Sequence, residues 1–257
     1  MSNKCLKNLN THERDKHIHF DEEPHIYYID GVAYKRSVTS FIHDLFPKFD
    51  SHKVATLTQQ KHSSNIESEY YDKSVDEIKD MWAQSGKDAS AAGTKLHKAI
   101  EDFFNKREIN DENVVSSTEF QYFLNFIKDF PELKPYRTEW EVFQEDHKIA
   151  GSIDMLFEND DSTLTIYDWK RSKNIRMTNR FEKGKEFNTK HLDNCNFVHY
   201  SMQLNVYKYF LESKYSKKIR DMYILVLHPN NNNYKRYAIP DMQEDIRAIL
   251  SPKEIKT

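Results

Sequence analysis

Glycine is scarce in this chain, with five residues, and cysteine scarcer still, with Cys5 and Cys195 alone. Two cysteines cannot build a four-cysteine zinc or iron–sulfur site, and nothing suggests a disulfide framework. No apolar run approaches the roughly 20 residues that a membrane span requires. The first residues carry no apolar h-region, so no secretory signal is expected. An intracellular protein is the default, with nucleus, cytoplasm and viral factory equally open. Charge of one sign is not in excess either: the net charge is −3, so any nucleic-acid partner has to be announced locally. What the chain does have is aromatic burial capacity, 16 Phe and 15 Tyr within a hydrophobic fraction of 38%. That supports a core despite 31% charged residues and argues against global disorder. The 257 residues allow one large domain or a core with an inserted subdomain. The Lys-, Asn- and Ile-rich composition fits an AT-rich genome, viral genomes among them.

Hydrophobic periodicity divides the chain. Residues 1–18 are polar and read as a flexible N-terminus. Asp30-Gly31 reads as a hairpin turn returning through Val32–Tyr34. Ser37 or Thr39 then N-caps a helix through Phe41, Ile42, Leu45 and Phe46, ended by Pro47. Residues 50–92 are polar and weakly periodic, with a short helix at Val75–Trp82, and look peripheral. Gly93-Thr94 opens a clearer helix, in which Leu96, Ala99, Ile100, Phe103 and Phe104 share a stripe. Phe120–Phe130 is a second, closed by Pro131. The period then changes to two, and Thr138–Gln144, Ile149–Phe157 and Leu164–Lys170 read as successive strands. A helix over His199–Lys214, a strand over Met222–His228, its partner over Tyr234–Ile239 and a last helix to Leu250 complete the order. Such an order predicts an α/β fold, a central mixed sheet flanked by helices.

Chemistry concentrates on the hairpin of the second and third of these strands. Asp154 shares a face with Ser152 and Leu156, and Asp168 shares one with Ile166 and Lys170. If the turn centres on Asp161, Asp154 falls opposite Asp168, with Cβ atoms about 4.5–5.5 Å apart. Facing carboxylates on a half-buried sheet repel, and the arrangement makes sense around a divalent cation with oxygen ligands, Mg²⁺ or Mn²⁺. Lys170 on the same face offers an ammonium to water or phosphate. Trp169 points into the core while its carbonyl can face the metal. Gly151 would let another backbone approach closely. A surface pair of acids with a salt-bridging lysine would leave the same trace in the sequence. His97 lies at the edge of its helical stripe, with Glu101 one turn later. Glu101 could reach a metal through water or hold the imidazole. From Lys170 to Lys190 there are eight Lys/Arg against Glu182 and Glu186. The excess reads as a phosphate-contacting loop, and a solvated charged loop is the plain alternative.

Taken together, Gly93-Thr94-x-x-His97-x-x-x-Glu101, Gly151-Ser152-Ile153-Asp154, Asp168-Trp169-Lys170 and Gln203-x-x-x-Tyr207 resemble the RecB-like branch of the PD-(D/E)XK nuclease superfamily. His25-x-Tyr27, Gly31 and Ser37-Val38-Thr39 look like the entry segment of its exonucleases, among them the mitochondrial genome maintenance exonuclease and relatives in large DNA viruses. The likeness covers roughly residues 19–240. The proline of the family name is absent, since Ile153 precedes Asp154. The resemblance implies a restriction-endonuclease-like core over residues 19–250, a helical arch or cap around 50–92 and a tail at 251–257. It implies metal ligation by His97, Asp154, Asp168 and the Trp169 carbonyl, and catalysis by Lys170, Asp168, Asp154 and Glu101. Gln203, Tyr207, Arg171, Lys173, Arg176 and Thr94 would touch nucleic acid. Mg²⁺ or Mn²⁺ is the implied cofactor, without an iron–sulfur cluster. The implied activity is DNA hydrolysis, as a single-strand-preferring exonuclease of replication, repair or recombination. Its partners would be DNA, single-stranded or with free ends, and replication or recombination proteins, with no membrane. An RNA endonuclease of the same fold, of the cap-snatching kind, and an inactive binding module are the alternatives.

Overall fold

The structure, a computed structural model, describes residues 5–251. It divides into two compact units, one holding the described residues up to Pro47 and from Leu96 onward, the other Lys48–Lys95. In the first unit, α1 (Leu6–Leu9) and a 3-10 turn (Glu13–Lys16) precede an antiparallel meander of β1 (Ile18–Asp21), β2 (Ile26–Ile29) and β3 (Val32–Tyr34). Asp30 and Gly31 turn it with φ of 47° and 80°, the left-handed region a tight hairpin demands. A two-residue strand, β4 (Arg36–Ser37), leads into α2 (Val38–Asp44). Ser37 caps that helix, its hydroxyl accepting the Ser40 N–H at 3.0 Å.

The smaller unit contains α3 (Ser51–His62), N-capped by Asp50, and the first part of α4 (Val75–Phe104). Trp82 donates its indole N–H to the Tyr70 hydroxyl at 3.1 Å. The helix expected to open at Gly93-Thr94 is therefore continuous with the one expected at Val75–Trp82. No proline lies between them, and Ala83, Ala89, Ala91 and Ala92 favour helix. Gly86 and Gly93 each cost about 1 kcal/mol relative to alanine, too little to break it.

In the larger unit, α5 (Glu112–Val115) and α6 (Thr118–Asp129) follow α4. The chain then enters β5 (Lys134–Gln144), β6 (Ile149–Glu158) and β7 (Leu164–Lys170), crosses through α7 (Asn196–Lys214), and ends with β8 (Ile219–Val226), β9 (Lys235–Ala238) and α8 (Gln243–Leu250). With β4 these strands form one six-stranded sheet, parallel at β4–β6 and β7–β8 and antiparallel elsewhere. Pro135 is tolerated because β5 is an edge strand. Each face is buried. Met155, Phe157, Tyr167 and Trp169 pack in one cluster with Leu96, Ile100, Phe120, Phe123 and Phe126 of α4 and α6. Leu156, Ile166 and Ile224 belong to the other, with Phe41, Ile42, Met202, Phe210 and Ile246 of α2, α7 and α8. This is the expected α/β architecture with a helix-flanked mixed sheet.

The topology leaves a gap where the motifs lie. A strand has two edges, and β5 pairs with β6 along nearly its whole length. The other edge is shared: β4 covers Ile149 and Ala150, β7 covers Met155–Glu158. Between them, among the described residues, Gly151–Asp154 has no strand on that edge, and α2 starts beside it.

One expectation needs correcting. Residues 5–17, assigned by composition to a flexible N-terminus, are folded onto the sheet; residues 1–4, and 252–257 of the expected tail, lie outside the described residues. The cause is Arg137, whose buried guanidinium takes Asp15 at 2.8 Å and the Asn10 carbonyl at 2.8 Å. Asp15 also accepts the Trp140 indole N–H at 2.9 Å. A buried cation must be paired, and the polar N-terminal segment supplies the partners.

Candidate metal centre and cleft

The β6–β7 ladder pairs Met155 with Tyr167 and Glu158 with Leu164, so the turn centres on Asp161. One step further that register sets Asp154 against Asp168. The regular ladder has stopped there, and Asp154 Oδ2 instead accepts the Trp169 N–H at 2.8 Å. On the far side of β6, Thr138 pairs with Met155 and Trp140 with Ile153, which sets Glu139 against Asp154. Glu139 has a φ of 44°, strained for a non-glycine residue, and its carboxylate accepts the Ser152 hydroxyl at 2.9 Å.

His97 comes from α4. Its Nε2 lies 2.9 Å from the Trp169 carbonyl, which can only accept, so Nε2 carries the proton. Nδ1 is then the free lone pair, 3.6 Å from Asp154 Oδ2 and 4.0 Å from Glu139 Oε1. One ligand atom each from His97, Glu139 and Asp154 fall within 4.8 Å of one another. One imidazole nitrogen and two carboxylates suit a divalent cation. Glu139 was not anticipated from sequence. A signal existed: a β5–β6 turn at Asp146-His147 places it opposite Asp154.

Asp168 is 2% exposed, with Oδ2 2.6 Å from Lys170 Nζ. The contact is an ion pair without hydrogen-bond alignment, which leaves Oδ2 as a buried oxygen lacking a proper donor. Burial raises the Asp168 carboxyl, to about 6, with Lys170 opposing and Asp154 adding to the rise. Glu139 is raised to about 8 by desolvation first and the Asp154 charge second. Burial works against the Lys170 ammonium, but Asp168 and Asp154 overcome it and hold Lys170 above its ordinary value. Nζ also lies 3.3 Å from Gln203 Oε1 and 4.7 Å from the Tyr200 ring centre. Three carboxyl groups crowded against a single ammonium are the electrostatic signature of a cation site.

The remaining candidates fall into place unevenly. The Trp169 carbonyl is engaged by His97. Glu101 pairs with Arg107 at 2.9 Å and Lys98 at 3.4 Å. Arg171 pairs with Glu119 at 2.8 Å and ties the loop after β7 to α6. Lys173 and Arg176 are exposed on that loop. Thr94 belongs to the smaller unit, where its hydroxyl donates to the Ser90 carbonyl. Tyr207 is buried against Gly151: a Cβ there would lie 2.8 Å from the phenol oxygen. The close approach that Gly151 permits is thus from a side chain rather than from backbone.

The gap along β6 opens as a cleft of about 380 Å³, lined by Tyr27, Ser37, Thr39, Ser152, Asp154 and Gln203 among others. A second pocket of about 270 Å³ lies between Lys170, Asn196, His199, Tyr200 and Gln203. Gln203 and Thr39 border both, so the two form one tract on either side of them.

Comparison with known proteins agrees with the hairpin. The family model of the PD-(D/E)XK nuclease superfamily matches residues 34–253. No curated protein matches the chain. A solved structure designated SSO0001 is similar at 13% identity with a TM-score of 0.33, covering 83% of this chain and 70% of the other. The family match spans β4 to α8, and with it the strands that carry Asp154, Asp168 and Lys170: the chain belongs to the PD-(D/E)XK nuclease superfamily.

Proposed function

We propose that the protein hydrolyses DNA phosphodiester bonds with Mg²⁺ or Mn²⁺, as a RecB-like exonuclease preferring single strands and serving replication, repair or recombination. The observation that carries this is the convergence of His97, Glu139 and Asp154 within 4.8 Å, beside the Asp168–Lys170 pair. His97, Glu139 and Asp154 would hold the ion, with the Asp168 carboxylate beside them paired to Lys170. The ion supplies Lewis-acid stabilisation of the charge that develops on phosphorus oxygens and a more acidic water. His97 is fixed in the ligating tautomer by the Trp169 carbonyl. Lys170 brings a charged ammonium to an otherwise acidic site and answers the added negative charge of the transition state. Gln203 orients that ammonium, and Tyr207 closes the cleft floor over Gly151. The RecB-like assignment rests on the Gln203–Tyr207 pair on α7 bordering the cleft. Residues 50–92 would form a helical arch or cap that gates or threads the strand.

The test is a gel assay with end-labelled single-stranded DNA, duplex DNA and RNA, in Mg²⁺, Mn²⁺ or EDTA. Metal-dependent shortening of single-stranded DNA, lost in Lys170→Ala, is expected. Cleavage of RNA alone, or of nothing, would sink the proposal.

A further inference from the structure

The loop between β7 and α7 leaves the sheet at Lys170 and enters α7 at Asn196, and both residues line the same 270 Å³ pocket. The exposed face of this loop therefore begins and ends at the candidate site. Two of its aromatic side chains lie almost wholly in water: Phe181 is 95% exposed and Phe187 87%. Beside them Arg180 and Lys185 are exposed.

The backbone that presents these rings is fixed. Lys185 N–H donates to the Leu45 carbonyl at 2.8 Å and Gly184 N–H to that of Leu192 at 3.0 Å. Gly184 sits so close over Thr189 that a Cβ would lie 2.4 Å from the threonine carbonyl oxygen. Asn188 reaches the Ala248 carbonyl at 2.7 Å. Glu182, an acid in the loop, is hydrogen-bonded to Asn194 at 3.0 Å. Phenyl rings held in water on a pinned, cation-rich loop keep apolar surface hydrated with no burial to offset it. Flat apolar faces among cations complement a polymer that alternates planar bases with anionic phosphates, its bases free to leave a helix.

We propose that Phe181 and Phe187 are a base-stacking platform for single-stranded nucleic acid, with Arg180 and Lys185 holding the backbone between stacked bases. This rests on the nuclease reading for the identity of the polymer, but it predicts binding rather than cleavage.

The experiment is fluorescence anisotropy of labelled oligothymidylate and of a hairpin duplex of equal length, with the full chain in EDTA so that no turnover intervenes. Each base–aromatic stack is worth about 1–3 kcal/mol, so Phe181→Ala and Phe187→Ala should each weaken single-strand binding about 5- to 150-fold. Duplex binding should change less than about twofold. Phe181→Trp should keep its affinity and show indole quenching when oligothymidylate binds. Equal losses on both probes, or none, would overturn the platform. So would a change confined to the sedimentation of the Phe variants, which would make the rings a protein contact. Phe-dependent binding with no cleavage in Mg²⁺ would remove the nuclease reading alone; cleavage with unaltered binding by the variants would remove the platform alone.

Discussion

At the scale of single residues the site is a balance of charge. Glu139, Asp154 and Asp168 crowd three carboxyl groups around one ammonium, and His97 adds an imidazole nitrogen. Glu139→Gln keeps the shape and the Ser152 contact but removes an anionic ligand. It should lower metal affinity about 10- to 100-fold, measured by Mn²⁺ titration calorimetry, and cleavage should recover in part at high Mn²⁺. Unchanged affinity would remove Glu139 from the ligand set. Gly151→Ala tests the packing behind the ligands. Its Cβ would meet the Tyr207 oxygen at 2.8 Å and ring carbon at 2.9 Å, with Val38 at 3.1 Å behind. Overpacking of this kind costs about 1–3 kcal/mol. A Tm lowered by several degrees is expected, and an unshifted Tm would show that the Tyr207 ring moves freely.

At the scale of elements the decisive feature is the edge of β6 shared by β4 and β7. It leaves Gly151–Asp154 open and brings Ser37 and Thr39 at the start of α2 to the cleft. The attachment of residues 5–17 to the sheet is tested at Asp15. Asp15→Ala leaves the buried Arg137 guanidinium without its carboxylate, and breaking a buried pair from one side costs about 3–5 kcal/mol. The urea midpoint should fall accordingly. A loss below about 1 kcal/mol would mean that solvent reaches Arg137 once the pair is broken.

For the whole molecule, pH and metal are linked. Glu139 is raised in the fold to about 8 from a usual 4.5, so between those values the native state holds a proton that the unfolded chain has released. Stability of the metal-free protein therefore falls as pH rises through this window. His199, depressed by burial to about 4 from a usual 6.5, opposes the trend only near pH 6.5, where the unfolded imidazole is still partly protonated. The Tm in EDTA should decline from pH 6.5 to 8.5, and Mg²⁺ should raise it more at the higher pH. Glu139→Gln should flatten the profile. A Tm in EDTA that rises over this range would contradict the crowded-carboxylate description.

Much of this was legible in the sequence for physical reasons. Period-two alternation and the turn formers at Glu158–Thr163 pointed to the β6–β7 hairpin; only the structure decided that its turn centres on Asp161 and that the ladder stops one pair short of Asp154 and Asp168. Proline and capping residues bounded α2 and α6, and the inward turn of Trp169 followed from strand parity. Other features depend on groups distant in sequence. Glu139 joined the ligands only through the β5–β6 register. The His97 tautomer was decided by a carbonyl 72 residues away. Arg137 drew a polar terminus into order, and α4 ran through two glycines because nothing sterically stopped it. Local pattern determines which face a side chain takes; only tertiary packing decides which faces meet, because burial makes charges find partners that no local period encodes.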